Sequence, residues 1–220
     1  MPSNRVFPLT NGMGRDRSCS SGDLGIPPVS WEKQMPEKLY RGARWDVRVV
    51  GDEVGVFRDD ALVYPLSVPS ERVSIWRVEP SILGFSGDDT PVVCVRFSHK
   101  TPESTDPNPL PLFFVGREGL PSGHRAQPTT ILVRVMDNGD VVYQTESTLP
   151  SSGPRTYGVL RRAPDGRRTS VREASPFRYD NFWLEPDGTV LGAWRATRPR
   201  HDGRETGMYR IRADGDELVP

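Results

Sequence analysis

Short apolar runs separated by glycine-containing turns are the feature that most constrains the fold of this chain. Asn138-Gly139, between the runs Ile131–Met136 and Val141–Thr148, is the strongest short-range hairpin signal in the sequence. The last third repeats related pairs: Asp165-Gly166, Asp187-Gly188, Asp202-Gly203 and Asp214-Gly215. Their intervals of 22, 15 and 12 residues are too irregular for a propeller with constant blades and favour successive hairpins.

A three-stranded meander is predicted ahead of these turns. Trp45–Val50, Glu53–Arg58 and Ala61–Leu66 are β-rich runs separated by Gly51-Asp52 and Asp59-Asp60. With two central residues in each turn, the predicted cross-strand pairs are Val49 with Val54, Val47 with Val56, Phe57 with Leu62, and Tyr64 with Gly55.

The whole chain therefore predicts an all-β fold made of antiparallel meander hairpins. Further β-rich runs extend the pattern to about twelve strands: Arg72–Glu79, Pro91–Ser98 and Leu110–Gly116. That number fits a barrel or two stacked sheets. The 22 Pro and 21 Gly favour short elements, and runs with helical period are lacking, so we expect little helix.

The chain is expected to contain one folded domain with an irregular extension. Residues 1–40 are rich in Gly, Ser and Pro and lack periodicity, which predicts an irregular N-terminal arm. Residues 41–220 form the predicted single all-β domain, with a long Pro-rich loop near 99–130.

Composition gives no sign of a membrane segment, a cofactor or a metal. The sequence lacks a signal-peptide pattern and a long apolar run, so we expect a cytoplasmic protein, and nothing predicts a membrane partner. Gly-rich phosphate loops, His-Glu-x-x-His, Gly-x-Ser-x-Gly and Cys-x-x-Cys are absent. His99, His124 and His201 lie in loop-like settings without a second ligand at metal spacing, so no metal site and no cofactor are predicted.

One hairpin, Arg178–Glu185 with Thr189–Thr197, carries candidate catalytic residues. A two-residue turn at Asp187-Gly188 would place Asp180 opposite Arg195, at the end of an apolar stripe. In a barrel interior this pair could orient a polar ligand or exchange a proton. The favoured alternative is an exposed structural ion pair at the end of the sheet.

The opposite face of the same hairpin carries aromatic candidates for substrate binding. Tyr179, Trp183 and Trp194 would share that face and could form a stacking platform or a cavity wall. They are equally suited to a hydrophobic core. One face of the hairpin must be buried, and the sequence does not decide which.

A second candidate site is a basic hairpin. Residues 151–212 hold 13 Lys and Arg against 7 Asp and Glu. Arg161, Arg162, Arg167 and Arg168 surround Asp165-Gly166 and could bind phosphates or an acidic protein surface. Aromatic interleaving and nucleic-acid motifs are lacking, so nucleic acid is a poor candidate partner. A solvated hairpin that resists edge pairing explains the same residues, and the codon bias of a GC-rich bacterial genome explains why 26 of 29 basic residues are Arg.

Two functional hypotheses follow. The first is a non-catalytic β-rich binding module for a protein or an anionic partner, contacted through the basic hairpin and the Pro-rich loop. The alternative is a cofactor-free enzyme, such as a cyclase or isomerase, that holds a small apolar ligand in a barrel and uses Asp180 and Arg195. The oligomeric state is not predicted.

Overall fold

Four antiparallel sheets make up the fold. The computed structural model describes residues 38–87, 89–101, 107–123, 128–147, 155–195 and 206–219. Within these ranges, sixteen strands form four sheets, and each sheet is built from four strands that follow one another along the chain. The predicted all-β antiparallel class is confirmed.

The strand bounds are as follows. The first sheet contains β1 (Lys38–Tyr40), β2 (Ala43–Val50), β3 (Glu53–Arg58) and β4 (Ala61–Leu66). The second contains β5 (Arg77–Ser86), β6 (Thr90–Ser98), β7 (Leu112–Val115) and β8 (Glu118–Gly119). The third contains β9 (Thr129–Val135), β10 (Val141–Ser147), β11 (Thr156–Arg162) and β12 (Arg168–Ser175). The fourth contains β13 (Tyr179–Leu184), β14 (Val190–Arg195), β15 (Thr206–Ile211) and β16 (Asp216–Val219).

The sheets stack face to face in chain order. Three clusters of buried apolar side chains separate the first sheet from the second, the second from the third, and the third from the fourth. The first cluster includes Trp45, Val56 and Val93. The second includes Val92, Val141 and Tyr143, and the third includes Val142, Val159 and Tyr209. Stacked sheets were one predicted arrangement; the described residues form four of them and close no barrel.

The first two sheets are joined by a short helix, α1 (Ser70–Ile75). The sequence pattern predicts a strand over Arg72–Ile75, and this prediction is wrong. The segment follows Pro69, and its one buried side chain, Val73, packs in the core between the two sheets, so tertiary burial outweighs β-propensity here. Among the described residues, no helix combines the length and apolarity needed to cross a membrane.

Two predicted irregular regions contain strands. Residues 1–37 of the predicted arm lie outside the described residues, while Lys38–Tyr40 form β1 and pair with β2. The predicted 99–130 loop contains β7, β8 and the start of β9. Residues 102–106 and 124–127 of that loop are not described.

The register of the first sheet is predicted correctly at three of four positions. The predicted pairs of Val49 with Val54, Val47 with Val56, and Phe57 with Leu62 are confirmed. The pairing of Tyr64 with Gly55 is wrong: Tyr64 lies opposite Val56, and Gly55 lies opposite Pro65. Val63 is an extra residue in β4, and such a bulge shifts all later pairs by one.

Three hairpin loops in the third and fourth sheets have the same geometry. The loops are 137–139, 164–166 and 186–188, and the last residue of each is a glycine with φ between 82° and 88°. In each, the residue before the loop donates its N–H to the carbonyl of the residue after it: Met136 to Asp140 at 2.8 Å, Ala163 to Arg167 at 2.9 Å, and Glu185 to Thr189 at 2.9 Å. These are three-residue loops with a left-handed glycine, whereas the sequence analysis assumes two-residue turns.

These loops gather at one end of the stack. An open groove includes residues of both the 137–139 and the 186–188 loops, and another includes residues of the 137–139 and 164–166 loops. We call this end of the third and fourth sheets the turn end, defined by those three loops. The candidate site is located there.

Candidate functional site

Asp180 and Arg195 are not the cross-strand partners that the hairpin pattern predicts. Asp180 is an exposed bulge residue between Tyr179 and Asn181, without a cross-strand partner in β14. Arg195 pairs through its backbone with Thr206 of β15, and its side chain lies outside what is described. The three-residue loop shifts the register by one, and the bulge shifts it again, so the predicted register is wrong. The catalytic roles of the two residues remain a prediction.

The three aromatic candidates of this hairpin divide between two environments. Tyr179 and Trp194 are cross-strand partners and pack in the core between the third and fourth sheets. Trp183 pairs with Leu191 and is 41% exposed. The predicted common face is therefore wrong, because the bulge at Asp180 reverses the alternation between Tyr179 and Trp183.

A close approach to backbone fixes the ring of Tyr179. The ring lies against Gly192, where an added Cβ would come within 2.5 Å of Tyr179 Cδ1. Burial raises the pKa of the Tyr179 hydroxyl, so the phenol stays protonated at neutral pH. The buried Gln144 amide accepts a hydrogen bond from the Tyr179 backbone N–H at 3.0 Å and donates to the Phe177 carbonyl at 2.9 Å. Tyr179 thus holds the fourth sheet to the third.

The four candidate arginines divide by strand alternation. Arg162 and Arg168 are directly opposite each other on β11 and β12, and both form ion pairs with Glu118 of the second sheet. Arg161 and Arg167 contribute instead to a groove between the third and fourth sheets. The predicted cluster of four is therefore two pairs on opposite faces.

Arg161 is held firmly by a buried carboxylate. Its Nε and Nη2 donate to Oδ2 of Asp140 at 2.7 and 2.5 Å, and its Nη1 donates to the carbonyl of Gly188 at 3.1 Å. Asn138 also donates to the same Asp140 oxygen, at 2.9 Å. The Asp140 side chain is 3% exposed and that of Arg161 is 32% exposed. Arg161 therefore links the 137–139 and 186–188 loops with its guanidinium in a fixed orientation.

The first half of the site is a cationic groove of about 500 Å³. It is lined by three arginines and two threonines, together with backbone near Gly188: Arg161, Arg167, Arg212, Thr169 and Thr189. Arg212 forms an exposed ion pair with Glu217 at 3.3 Å. The exposed side chain of Arg167 has no ion-pair partner in the described part of the chain. Three arginines and two threonines lining one groove make it suited to an anion.

The second half is an adjacent aromatic groove of about 690 Å³. Its apolar lining includes Phe182, Trp183 and Leu184 of β13 and Met136, the residue that follows β9. Arg161 and Gly188 line both grooves, so the two adjoin along the contact between these residues. Both grooves are open to solvent, and we call the two together the cleft at the turn end.

Carboxylates line the aromatic groove. Asp137, Glu185 and Asp187 all contribute to its wall. Hydrogen bonds from Arg210, at 2.9 Å to each oxygen of Glu185, lower the pKa of that carboxyl. The backbone N–H of Thr189, 2.8 Å from Asp187 Oδ1, lowers the pKa of Asp187. Both carboxyls are therefore ionised at neutral pH, and the aromatic groove is acidic where its neighbour is basic.

Sequence reasoning identified Arg161, Arg167 and Trp183 but missed the partners that assemble them. Arg212, Thr189 and the Asp140 anchor were not singled out, although the Asp-Gly and Asn-Gly pairs mark the loops next to each of them. No group of three or more potential metal-ligating side chains occurs among the residues described.

Comparisons with protein-family models, with curated proteins and with solved structures found no match to this chain.

Proposed function

We propose that this chain is a non-catalytic β-rich module that binds an anionic partner in the cationic groove at the turn end. The observation that carries the proposal is that Arg161, Arg167 and Arg212 line one groove, with Arg167 lacking an ion-pair partner among the described residues. The groove lies within the size range of ligand pockets, and the Asp140 contact orients Arg161 before any ligand arrives.

The alternative, a cofactor-free enzyme with an interior cavity, has less support. It requires Asp180 and Arg195 to reach an enclosed pocket, and Asp180 is exposed and lines neither groove of the cleft. Both grooves of the cleft are open, and the faces between neighbouring sheets are filled by apolar side chains. A packed interior with a surface groove is the arrangement expected of a binding module.

Isothermal titration calorimetry with pyrophosphate tests the proposal. We expect Arg167→Ala to weaken pyrophosphate binding about tenfold or more, because a charge-assisted hydrogen bond is lost. Arg168→Ala is the matched control: it removes the same charge from the neighbouring residue, whose partner is Glu118 on the opposite face. We expect the pyrophosphate affinity of Arg168→Ala to stay within about threefold of the wild-type value.

Salt dependence completes the test. Raising KCl from about 50 to about 500 mM shortens the Debye length severalfold, so pyrophosphate affinity must fall. Equal losses in Arg167→Ala and Arg168→Ala, or an affinity that does not respond to salt, would contradict the proposal.

A further inference from the structure

Opposite charges in adjoining grooves restrict the kind of ligand that the cleft can hold. The cationic groove is lined by Arg161, Arg167 and Arg212, of which Arg167 has no ion-pair partner among the described residues, whereas Asp137, Glu185 and Asp187 line the aromatic groove. Glu185 is already paired with Arg210, so an anion is attracted to the first groove chiefly by Arg167 and repelled from the second by Asp137 and Asp187. A ligand that occupies both grooves must therefore be anionic at one end only.

The aromatic groove also defines the chemistry of the other end. Trp183 is 41% exposed, and it adjoins the apolar side chains of Met136 and Leu184 in the groove wall. An exposed indole beside such a wall favours stacking with a flat ring. The neighbouring carboxylates accept hydrogen bonds, so N–H groups on that ring would be favoured.

From this arrangement we infer that the ligand is a phosphate monoester of a nitrogen-rich aromatic compound, with the chemistry of an amino-bearing mononucleotide. The inference rests on the proposed anion-binding function and extends it into the aromatic groove. The phosphate lies among Arg161, Arg167 and Arg212, and the ring lies beside Trp183. The linker passes Arg161 and Gly188, which line both grooves.

The number of its oxygens and its charge favour a phosphate monoester over a carboxylate in the cationic groove. A phosphate offers three terminal oxygens and close to two negative charges at neutral pH, whereas a carboxylate offers two oxygens and one charge. Arg161, Arg167 and Arg212 supply three guanidinium groups, and Thr169 and Thr189 add hydroxyl donors. The number and charge of these donors match the dianion better.

Titrations with four compounds separate the parts of the inference. AMP carries phosphate and an amino-bearing ring, IMP lacks the amino group, ribose 5-phosphate lacks the ring, and adenosine lacks the phosphate. We expect AMP to bind most tightly, with about tenfold or greater weakening for ribose 5-phosphate from lost stacking. IMP should fall between them, and adenosine should bind more weakly than ribose 5-phosphate.

Variants assign each end of AMP to its groove. Trp183→Ala should weaken AMP about tenfold and weaken ribose 5-phosphate less, whereas Trp183→Phe should retain most of the AMP affinity because a ring remains. Arg167→Ala should weaken both phosphates by a similar factor. Circular dichroism confirms that each variant is folded, and Arg168→Ala serves as the charge control.

Failure of the inference can be told apart from failure of the proposed function. If AMP and ribose 5-phosphate bind equally and Trp183→Ala affects both alike, the aromatic groove does not receive a ring, and the inference is overturned while anion binding stands. If pyrophosphate, AMP and ribose 5-phosphate all fail to bind to the folded wild-type protein, both the inference and the proposed function are overturned.

Discussion

At the residue scale, the site depends on a few positions where packing leaves little freedom. Gly192 admits the Tyr179 ring, Asp140 orients Arg161, and Arg210 holds Glu185. The sequence indicated Tyr179 and Arg161 as residues of interest, but not these partners. The sequence does not show whether a strand glycine accommodates an aromatic ring, because the register of the sheet determines which side chain lies over it.

Replacing Gly192 should destabilise the fold through its clash with Tyr179. In Gly192→Ala the new Cβ would lie 2.5 Å from Tyr179 Cδ1, so the ring must move, at an expected cost of about 1–3 kcal/mol in the free energy of unfolding. Gly215→Ala is the control, because nothing lies within 4 Å of its Cβ, and we expect it to be neutral or slightly stabilising. Urea denaturation measures both. A neutral Gly192→Ala would contradict the packing described.

Replacing Arg161 and replacing Asp140 should lower the free energy of unfolding by different amounts. Arg161→Ala leaves the nearly buried Asp140 carboxylate with Asn138 as its remaining side-chain donor, at an expected cost of about 3 kcal/mol. Asp140→Ala should cost less, since the Arg161 side chain is one-third exposed and keeps its bond to Gly188. Chemical denaturation at pH 7 compares them. A larger loss in Asp140→Ala would show that solvent does not reach Arg161 as described.

The pair of Glu185 and Arg210 gives a pH-dependent difference in stability. Because hydrogen bonds from Arg210 lower the pKa of Glu185 in the folded protein, its stabilisation is complete above the unfolded-state pKa, about 4.3, and declines as pH falls through the folded-state pKa. Wild type should be more stable than Glu185→Gln at about pH 6, and the difference should shrink as the pH falls below the unfolded-state pKa. A gap that widens on acidification would contradict this assignment.

At the element scale, the β-rich runs were predicted well and their pairing was predicted only in part. Alternation and turn residues located β2, β3 and β4 and their register as far as the bulge at Val63. Asp187-Gly188 was recognised as a turn, but the same dipeptide suits both two-residue and three-residue loops. That single ambiguity placed Asp180 opposite Arg195. Residues of the cleft come from six strands and from the loops between them, so local patterns could not assemble it.

The 186–188 loop offers a direct test of this element. Gly188 has φ 85°, a conformation that costs a residue with a Cβ about 1 kcal/mol or more, and its carbonyl accepts from Arg161. Gly188→Ala should therefore lower stability and weaken pyrophosphate binding, because the loop carries one wall of the cationic groove. Gly51→Ala, with φ 64° in a first-sheet turn, provides a strain control that should lower stability without changing binding. If Gly188→Ala and Gly51→Ala weakened pyrophosphate binding equally, a local role for the 186–188 loop would be contradicted.

At the scale of the whole molecule, the stack predicts a gradient of stability across the sheets. The second and third sheets are packed on both faces, and β6 and β10 contain the longest runs of consecutive buried residues in the described chain. Hydrogen exchange should be slowest at Val92–Val95 and Val141–Thr145, and faster in β12 and β16, which form the outer edges of their sheets. If the backbone amides of β6 exchanged fastest, the stacked arrangement would be contradicted.

The central claim is that anions bind between the third and fourth sheets at the turn end. The most direct measurement is a series of 1H–15N correlation spectra of the full chain during titration with pyrophosphate. The account predicts that the largest shift changes occur at the amides of Arg167, Gly188, Thr189 and Arg212. Largest changes at Arg168, on the other face of the same hairpin, at its partner Glu118 in the second sheet, or in the first sheet would contradict it.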